Sequence, residues 1–235
     1  MVNTKRTGRY RIKHKYNSDT ERIPVKNIAH ANARHKYRHN VIFADMSKQL
    51  FIHRHKQTHY LIIDDGGMGS TKVLISNGVR PSNITVVNDD CLITTAINAE
   101  YKTNVVTGRI ENLMHDIVAT NQPNACYIDV SSAYKDMSFL IPYLLYTKHN
   151  QVVLAATMGF PRRERGLNNR KYFAGIKRKI IEDIHMMNFY NRHTKSPYLN
   201  YEEDIMYPDL VMKVYKGYSS KTPMLFMCVR LKRQL

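Results

Sequence analysis

Tyr60-Leu61-Ile62-Ile63-Asp64-Asp65-Gly66-Gly67-Met68-Gly69-Ser70-Thr71 decides how this chain is read. Four apolar residues run into an acidic pair, three glycines fall within four positions, and a helix start follows. A short apolar run bounded by turn residues reads as a strand buried on both faces. Glycine accepts positive φ and lets a ligand lie close to the backbone, so the three glycines are expected to shape a tight, ligand-facing turn.

Downstream, strands and helices alternate. Ser70–Asn77 reads as a helix stopped by Gly78, and Ile84–Val87 as a second strand after the turn Pro81-Ser82-Asn83. Cys91–Ala99 is a helix, Asn104–Val106 a third strand and Ile110–Ala119 a helix. Ala125–Val130 is a fourth strand, Lys135–Tyr146 a helix and Gln151–Thr157 a fifth strand. Arg170–Met187 repeats its apolar residues Phe173, Ile176, Ile180, Ile184 and Met187 at helical spacing. Leu210–Tyr215 and Met224–Leu231 are two strands joined around Gly217. The expected fold is α/β: a doubly wound, seven-stranded, mostly parallel sheet with a C-terminal antiparallel β-hairpin and a basic N-terminal extension. Two parts are expected, 1–57 as basic arm and helical extension and 58–235 as the α/β domain.

Charge narrows the partners. The 235 residues carry 36 Lys+Arg against 19 Asp+Glu, a net +17. Residues 1–57 alone hold 14 of the basic residues and three acids, leaving +11 in less than a quarter of the length. A surplus of this size points to a polyanion, nucleic acid first, with the basic arm also offering a surface to protein partners. No apolar run reaches the roughly 18 residues of a spanning helix, so a membrane role is not expected. Cys91, Cys126 and Cys228 stand far apart without a CxxC pair, as expected of buried, reduced thiols in an intracellular protein. No metal site is expected: His35 and His39 sit four apart among Arg34, Lys36 and Arg38, which reads as a phosphate-facing surface.

Five βα units, a further helix and a terminal strand pair resemble the class I S-adenosylmethionine-dependent methyltransferases over residues 58–235. Asp65-Gly66-Gly67-Met68-Gly69 is similar to that family's D-x-G-x-G turn, which backs the methionine part of the cofactor. Ile84-Thr85-Val86-Val87-Asn88-Asp89-Asp90 resembles the second motif, whose acid holds the ribose; Asp89 stands 20 residues after Gly69, with Asn88 beside it. Thr107-Gly108-Arg109-Ile110 falls where the family contacts adenine. The resemblance therefore implies S-adenosylmethionine as cofactor and Asp65, Gly67, Gly69, Asn88, Asp89, Gly108 and Arg109 as its site. A dinucleotide-binding Rossmann dehydrogenase fits less well, because the turn is not G-x-G-x-x-G.

The same resemblance implies catalytic residues after the fourth strand. Asp129-Val130-Ser131-Ser132-Ala133-Tyr134 occupies the family's fourth motif, with Asp129 and Ser131 as polar groups and Tyr134 as a stacking ring. The two prolines of the amino-directed nucleic-acid enzymes are missing. A cytosine-C5 mechanism would need an accessible cysteine, and Cys126 lies inside a strand. Ribose methylation resembles a Lys-Asp-Lys-Glu set, and the fifth strand has no lysine and the last no glutamate. Arg162, Arg163, Arg165, Arg170 and Lys171 follow the fifth strand and read as a nucleic-acid groove, RNA or DNA alike. The alternative is a methyltransferase-like protein without catalysis, a nucleic-acid-binding or viral assembly subunit. Thr157 followed by Arg162 and Arg163 resembles such proteins of phages and large DNA viruses, which adds the virion as a location.

Overall fold

The computed structural model describes residues 25–51, 57–129, 147, 149–159, 174–175, 178, 182, 201–202, 210–216 and 223–233. Helix α1 (Val25–Leu50) leads into strand β1 (Tyr60–Ile63) and helix α2 (Gly69–Ser76). Then come β2 (Ile84–Asn88), α3 (Cys91–Tyr101), β3 (Asn104–Thr107), α4 (Ile110–Asn121), β4 (Ala125–Asp129) and β5 (Gln151–Gly159). Three strands close the order: β6 (Tyr201–Glu202), β7 (Leu210–Lys216) and β8 (Pro223–Arg233). The sheet runs β3-β2-β1-β4-β5-β8, with β1 to β5 parallel and β8 antiparallel to β5. Among the described residues it has eight strands rather than the expected seven. The outer edge of β8 takes β7 along its first half and the two-residue β6 at its end, Tyr201 opposite Arg233.

Local chemistry sets these boundaries. Apolar β1 and β2 are buried on both faces, as continuous runs in a parallel sheet should be. Asp90 caps α3 by accepting the amide of Leu92 at 2.9 Å. Gly78, at φ 86, ends the turn after α2, its amide bonded to the Ile75 carbonyl. Of the expected helix over 170–187, residues 174, 175, 178 and 182 are described and helical, with Arg178 and Glu182 paired one turn apart. The expected helix over 135–146 lies outside the described residues.

Helices lie on both faces. Thr85, which pairs with Leu61, accepts from Asn121 of α4, so α4 covers the Leu61 face. The other face carries Tyr60, Ile62, Tyr127, Val153 and Phe226 in one core with Val73 and Leu74 of α2 and Phe43, Ala44 and Met46 of α1. Phe43 meets the Tyr60 ring edge-on and the Tyr127 ring at a tilt. Helix α1 is one uninterrupted 26-residue element, free of Gly and Pro. Its buried stripe, His39, Asn40, Phe43, Ala44, Met46 and Ser47, follows the helical period.

Two expectations from the sequence are corrected here. His39 does not face phosphate: it is buried and stacked on Phe226, ring centroids 4.1 Å apart. Burial, then the charges of His35, Lys213 and Lys36, depress its pKa to about 4. Of the cysteines, Cys126 and Cys228 are buried, while Cys91 is exposed at the start of α3. No described helix is long and apolar enough to cross a membrane.

Candidate functional site

Parallel strands bring their carboxyl ends to one edge, and the chain reverses its winding between β1 and β4. The glycine turn, Asn88-Asp89-Asp90, Thr107-Gly108-Arg109 and Asp129 all leave strands at that edge. All of these residues are among the described ones. Ser131, Tyr134, Arg162, Arg163, Arg165, Arg170 and Lys171 lie outside the described residues.

The turn is held from within by Asp64. Its Oδ2 accepts both the amide and the hydroxyl of Thr71, each at 2.8 Å, and Oδ1 accepts the Asp65 amide at 3.1 Å. A carboxylate facing the first turn of α2 satisfies donors that a helix start leaves open. Burial pushes the Asp64 pKa up to about 6, against the pull of the Thr71 hydrogen bonds. Asp65 is half-buried; its Oδ1 accepts the Gly67 amide at 2.8 Å and its carbonyl accepts the Met68 amide at 2.9 Å. The positive φ expected of the glycines falls on Met68, at φ 55 and ψ 32, the residue capping α2. A buried methionine side chain in the core cluster holds that conformation in place. Gly69 serves close packing: a Cβ there would come 3.3 Å from Asn40 Nδ2 of α1, whose Oδ1 accepts from Ser70.

Lys36, also on α1, reaches into the same place. Its Nζ lies 2.9 Å from Asp129 Oδ2 and 3.3 Å from Asp65 Oδ2, so one ammonium spans the carboxyl ends of β1 and β4. Burial lowers its pKa, but Asp129 and then Asp65 outweigh it and hold the net shift upward, so the group stays cationic. Reading α1 as part of a basic extension missed this residue and Asn40, and reading Asp65 as the acid of the turn passed over Asp64. The only sequence signal was Lys36's position three residues before the buried His39-Asn40 pair, on the inward side of a helix.

The β2–β3 end differs. Asn88 is committed to the scaffold: its Nδ2 donates to the Asp64 carbonyl at 2.7 Å and its Oδ1 accepts the Asp90 amide at 2.8 Å. Asp89 is exposed, and among the described residues its carboxylate makes no hydrogen bond. Gly108 donates to the Asn88 carbonyl at φ 147, where a Cβ would sit 2.9 Å from Leu113 Cδ1. Arg109 is exposed just before α4. Cys126, with its thiol pKa raised by complete burial, has no access to this edge as a nucleophile.

No family model matches the chain, and no curated protein does. Solved structures do. The chain is similar to a plantazolicin methyltransferase crystallised with S-adenosylhomocysteine, at 11% identity over 95% of each chain and a TM-score of 0.50. It is also similar to an O-methyltransferase from Bacillus cereus, with 10% identity, 92% of this chain, 95% of that one and a TM-score of 0.47. A third structure is M. jannaschii TYW2 with S-adenosylmethionine, at 12% identity, 87% and 77% coverage and a TM-score of 0.46. The first of these likenesses, with the strand order above, establishes that the chain shares the methyltransferase fold.

Proposed function

We propose that this protein is an S-adenosylmethionine-dependent methyltransferase acting on nucleic acid. The observation that carries the reading is the division of labour among the acids at the carboxyl edge. Asp129 and Asp65 face Lys36 at the winding reversal, while Asp89 stands exposed one strand beyond the glycine turn. The residues fit the cofactor. An unengaged carboxylate at the end of β2 suits a ribose diol, and a half-exposed Gly67 leaves the turn's backbone approachable.

In this reading Asp89 holds the ribose hydroxyls, a role that Asn88 cannot share because its amide already ties β1 to α3. Asp65, with Gly67 and Gly69, backs the methionine portion, and Gly108 and Arg109 border the adenine. When bound, the cofactor supplies an electrophilic methyl group on a sulfonium. Asp129 receives the hydrogen bond of the acceptor's N–H or O–H, and Lys36 fixes its carboxylate. Lys36 is protonated and so orients rather than takes the proton. Ser131 and Tyr134 extend the acceptor side, and Arg162, Arg163, Arg165, Arg170 and Lys171 supply phosphate contacts. The net charge of +17 supports RNA or DNA as the polyanion.

A second reading rests on Asn88: a scaffold amide at the ribose position suits a methyltransferase-like nucleic-acid-binding or viral assembly subunit without catalysis. Calorimetric titration with S-adenosylhomocysteine separates the two. Wild type should bind and Gly67→Arg should not; no heat from wild type at millimolar ligand would sink the enzyme. Tritiated methyl transfer to RNA and to DNA then identifies the substrate.

A further inference from the structure

Charge at the winding reversal is opposite to that of the chain as a whole. The protein carries a net +17, yet where β1 and β4 end the carboxylates of Asp65 and Asp129 share a single ammonium, that of Lys36. Two negative charges against one positive leave the spot one cation short. Lys36 stays protonated between the acids, so its charge is fixed. A ligand group that completes this balance brings a positive charge of its own.

The two contacts of Lys36 are unequal. Its Nζ lies 2.9 Å from Asp129 Oδ2, whose side chain is 19% exposed, and 3.3 Å from Asp65 Oδ2, whose side chain is 40% exposed. Solvent screening grows with exposure, so the Asp65 contact is the weaker and the easier to give up. Oδ1 of Asp65 already accepts the Gly67 amide, which leaves Oδ2, under Lys36, as the oxygen for a ligand. The helix itself is pinned one turn further on. Asn40 Oδ1 accepts from Ser70 at 3.0 Å, the His39 ring stacks on Phe226, and Phe43 lies in the core. Movement therefore falls to the flexible four-carbon stem of Lys36, which can release one acid and keep the other by side-chain torsions alone.

We propose that Lys36 stands in for a cation of the ligand: the ammonium at the cofactor's methionine end displaces it from Asp65, and Lys36 withdraws onto Asp129. Two carboxylates then face two ammonium groups, one each, and the shortfall of charge is closed. Lys36 is thereby a specificity-determining residue. It competes with any ligand cation at Asp65, and a ligand without one leaves the Lys36 bridge intact. This deepens the cofactor part of the function proposed above and rests on it.

Calorimetry with two nucleosides tests the exchange. Methylthioadenosine lacks both ammonium and carboxylate, whereas decarboxylated S-adenosylhomocysteine is the same nucleoside thioether ending in an ammonium. The ratio of their affinities reads what the ligand's cation gains. Lys36→Met and Lys36→Gln, which remove the competing charge, should each raise that ratio about fivefold or more. Lys36→Arg keeps a cation there and should stay within about twofold of wild type. Lys48→Met, the same loss of charge at an exposed position of α1, should also stay within about twofold. Methylthioadenosine should bind equally to all of them, which also shows that the variants fold. If both nucleosides bind wild type and neither neutral Lys36 variant moves the ratio beyond Lys48→Met, the exchange is overturned and the cofactor reading stands. If neither nucleoside binds wild type or the variants at millimolar concentration, the cofactor reading falls and takes the exchange with it.

Discussion

The two halves of the carboxyl edge are built on opposite terms. Where β1 meets β4, every acid is engaged by protein: Asp64 by Thr71 and the Asp65 amide, Asp65 by Gly67 and Lys36, Asp129 by Lys36. At the ends of β2 and β3 the scaffold uses Asn88 and Asp90 and leaves Asp89 to solvent. The first half therefore binds itself together, and the second is left available to a ligand. Substitutions of Asp64 and Lys36 should register in folding, and substitution of Asp89 chiefly in ligand affinity.

The largest effect belongs to Asp64. Asp64→Ala strands buried donors of Thr71 and should cost about 3 kcal/mol in urea unfolding. Next comes an opposition between Asp64 and His39. The Asp64 pKa rises from 3.8 to about 6 on folding, so the native state holds the extra proton and stability falls as pH climbs from 4 to 6. The His39 pKa drops from 6.5 to about 4, so the unfolded state holds the extra proton and stability is lost as pH falls from 6.5 to 4. Each is worth about 3 kcal/mol over its window, with opposite sign. Wild type should thus show little net dependence from this pair. His39→Phe should leave stability decreasing with pH between 4 and 6, and Asp64→Asn should leave it increasing. Parallel slopes in the two variants would contradict this account.

Lys36→Met should cost a further, smaller amount, about 1–2 kcal/mol, as a half-buried cation between the exposed and buried extremes. Adding Asp129→Asn should recover part of that loss, because the remaining like charges are separated. Methyl transfer by Lys36→Met should fall while S-adenosylhomocysteine binding persists. The smallest folding effect belongs to Asp89→Ala, under about 0.5 kcal/mol, as for an exposed side chain away from any buried network. Its affinity for S-adenosylhomocysteine should nonetheless drop about 10- to 100-fold, the loss of a charge-assisted hydrogen bond. An Asp89 variant that unfolds but still binds would erase the distinction between the halves.

Local signals carried most of the fold. The apolar run Tyr60–Ile63 is the observed strand to the residue, and the strands at Ile84, Asn104, Ala125 and Gln151 start at the residues expected, at or one residue before an apolar run. Period and turn residues act over a few positions, so they are visible in one dimension. The site was legible only where it sits on strand ends. Lys36 was hidden in a basic stretch because its partners lie 29 and 93 positions away in sequence. Asp64 and Asp65 were adjacent equals on paper, and only the packing of Thr71 showed which of them is buried. Met68 defied its residue type, since tertiary packing rather than glycine chemistry sets its backbone.

The eleven-residue β8 has a consequence for how the chain becomes a structure. It inserts between β5 and β7, and its Phe226 stacks on a helix residue 187 positions earlier. A nascent chain that has not yet reached residue 223 holds α1 and β5 with no strand to complete their shared core. Contacts of such long range make folding slow and all-or-none, so the basic helix and the terminal strand stand or fall together. Helix α1, which brings Lys36 to the acids, is therefore set in place by a strand made almost two hundred residues later.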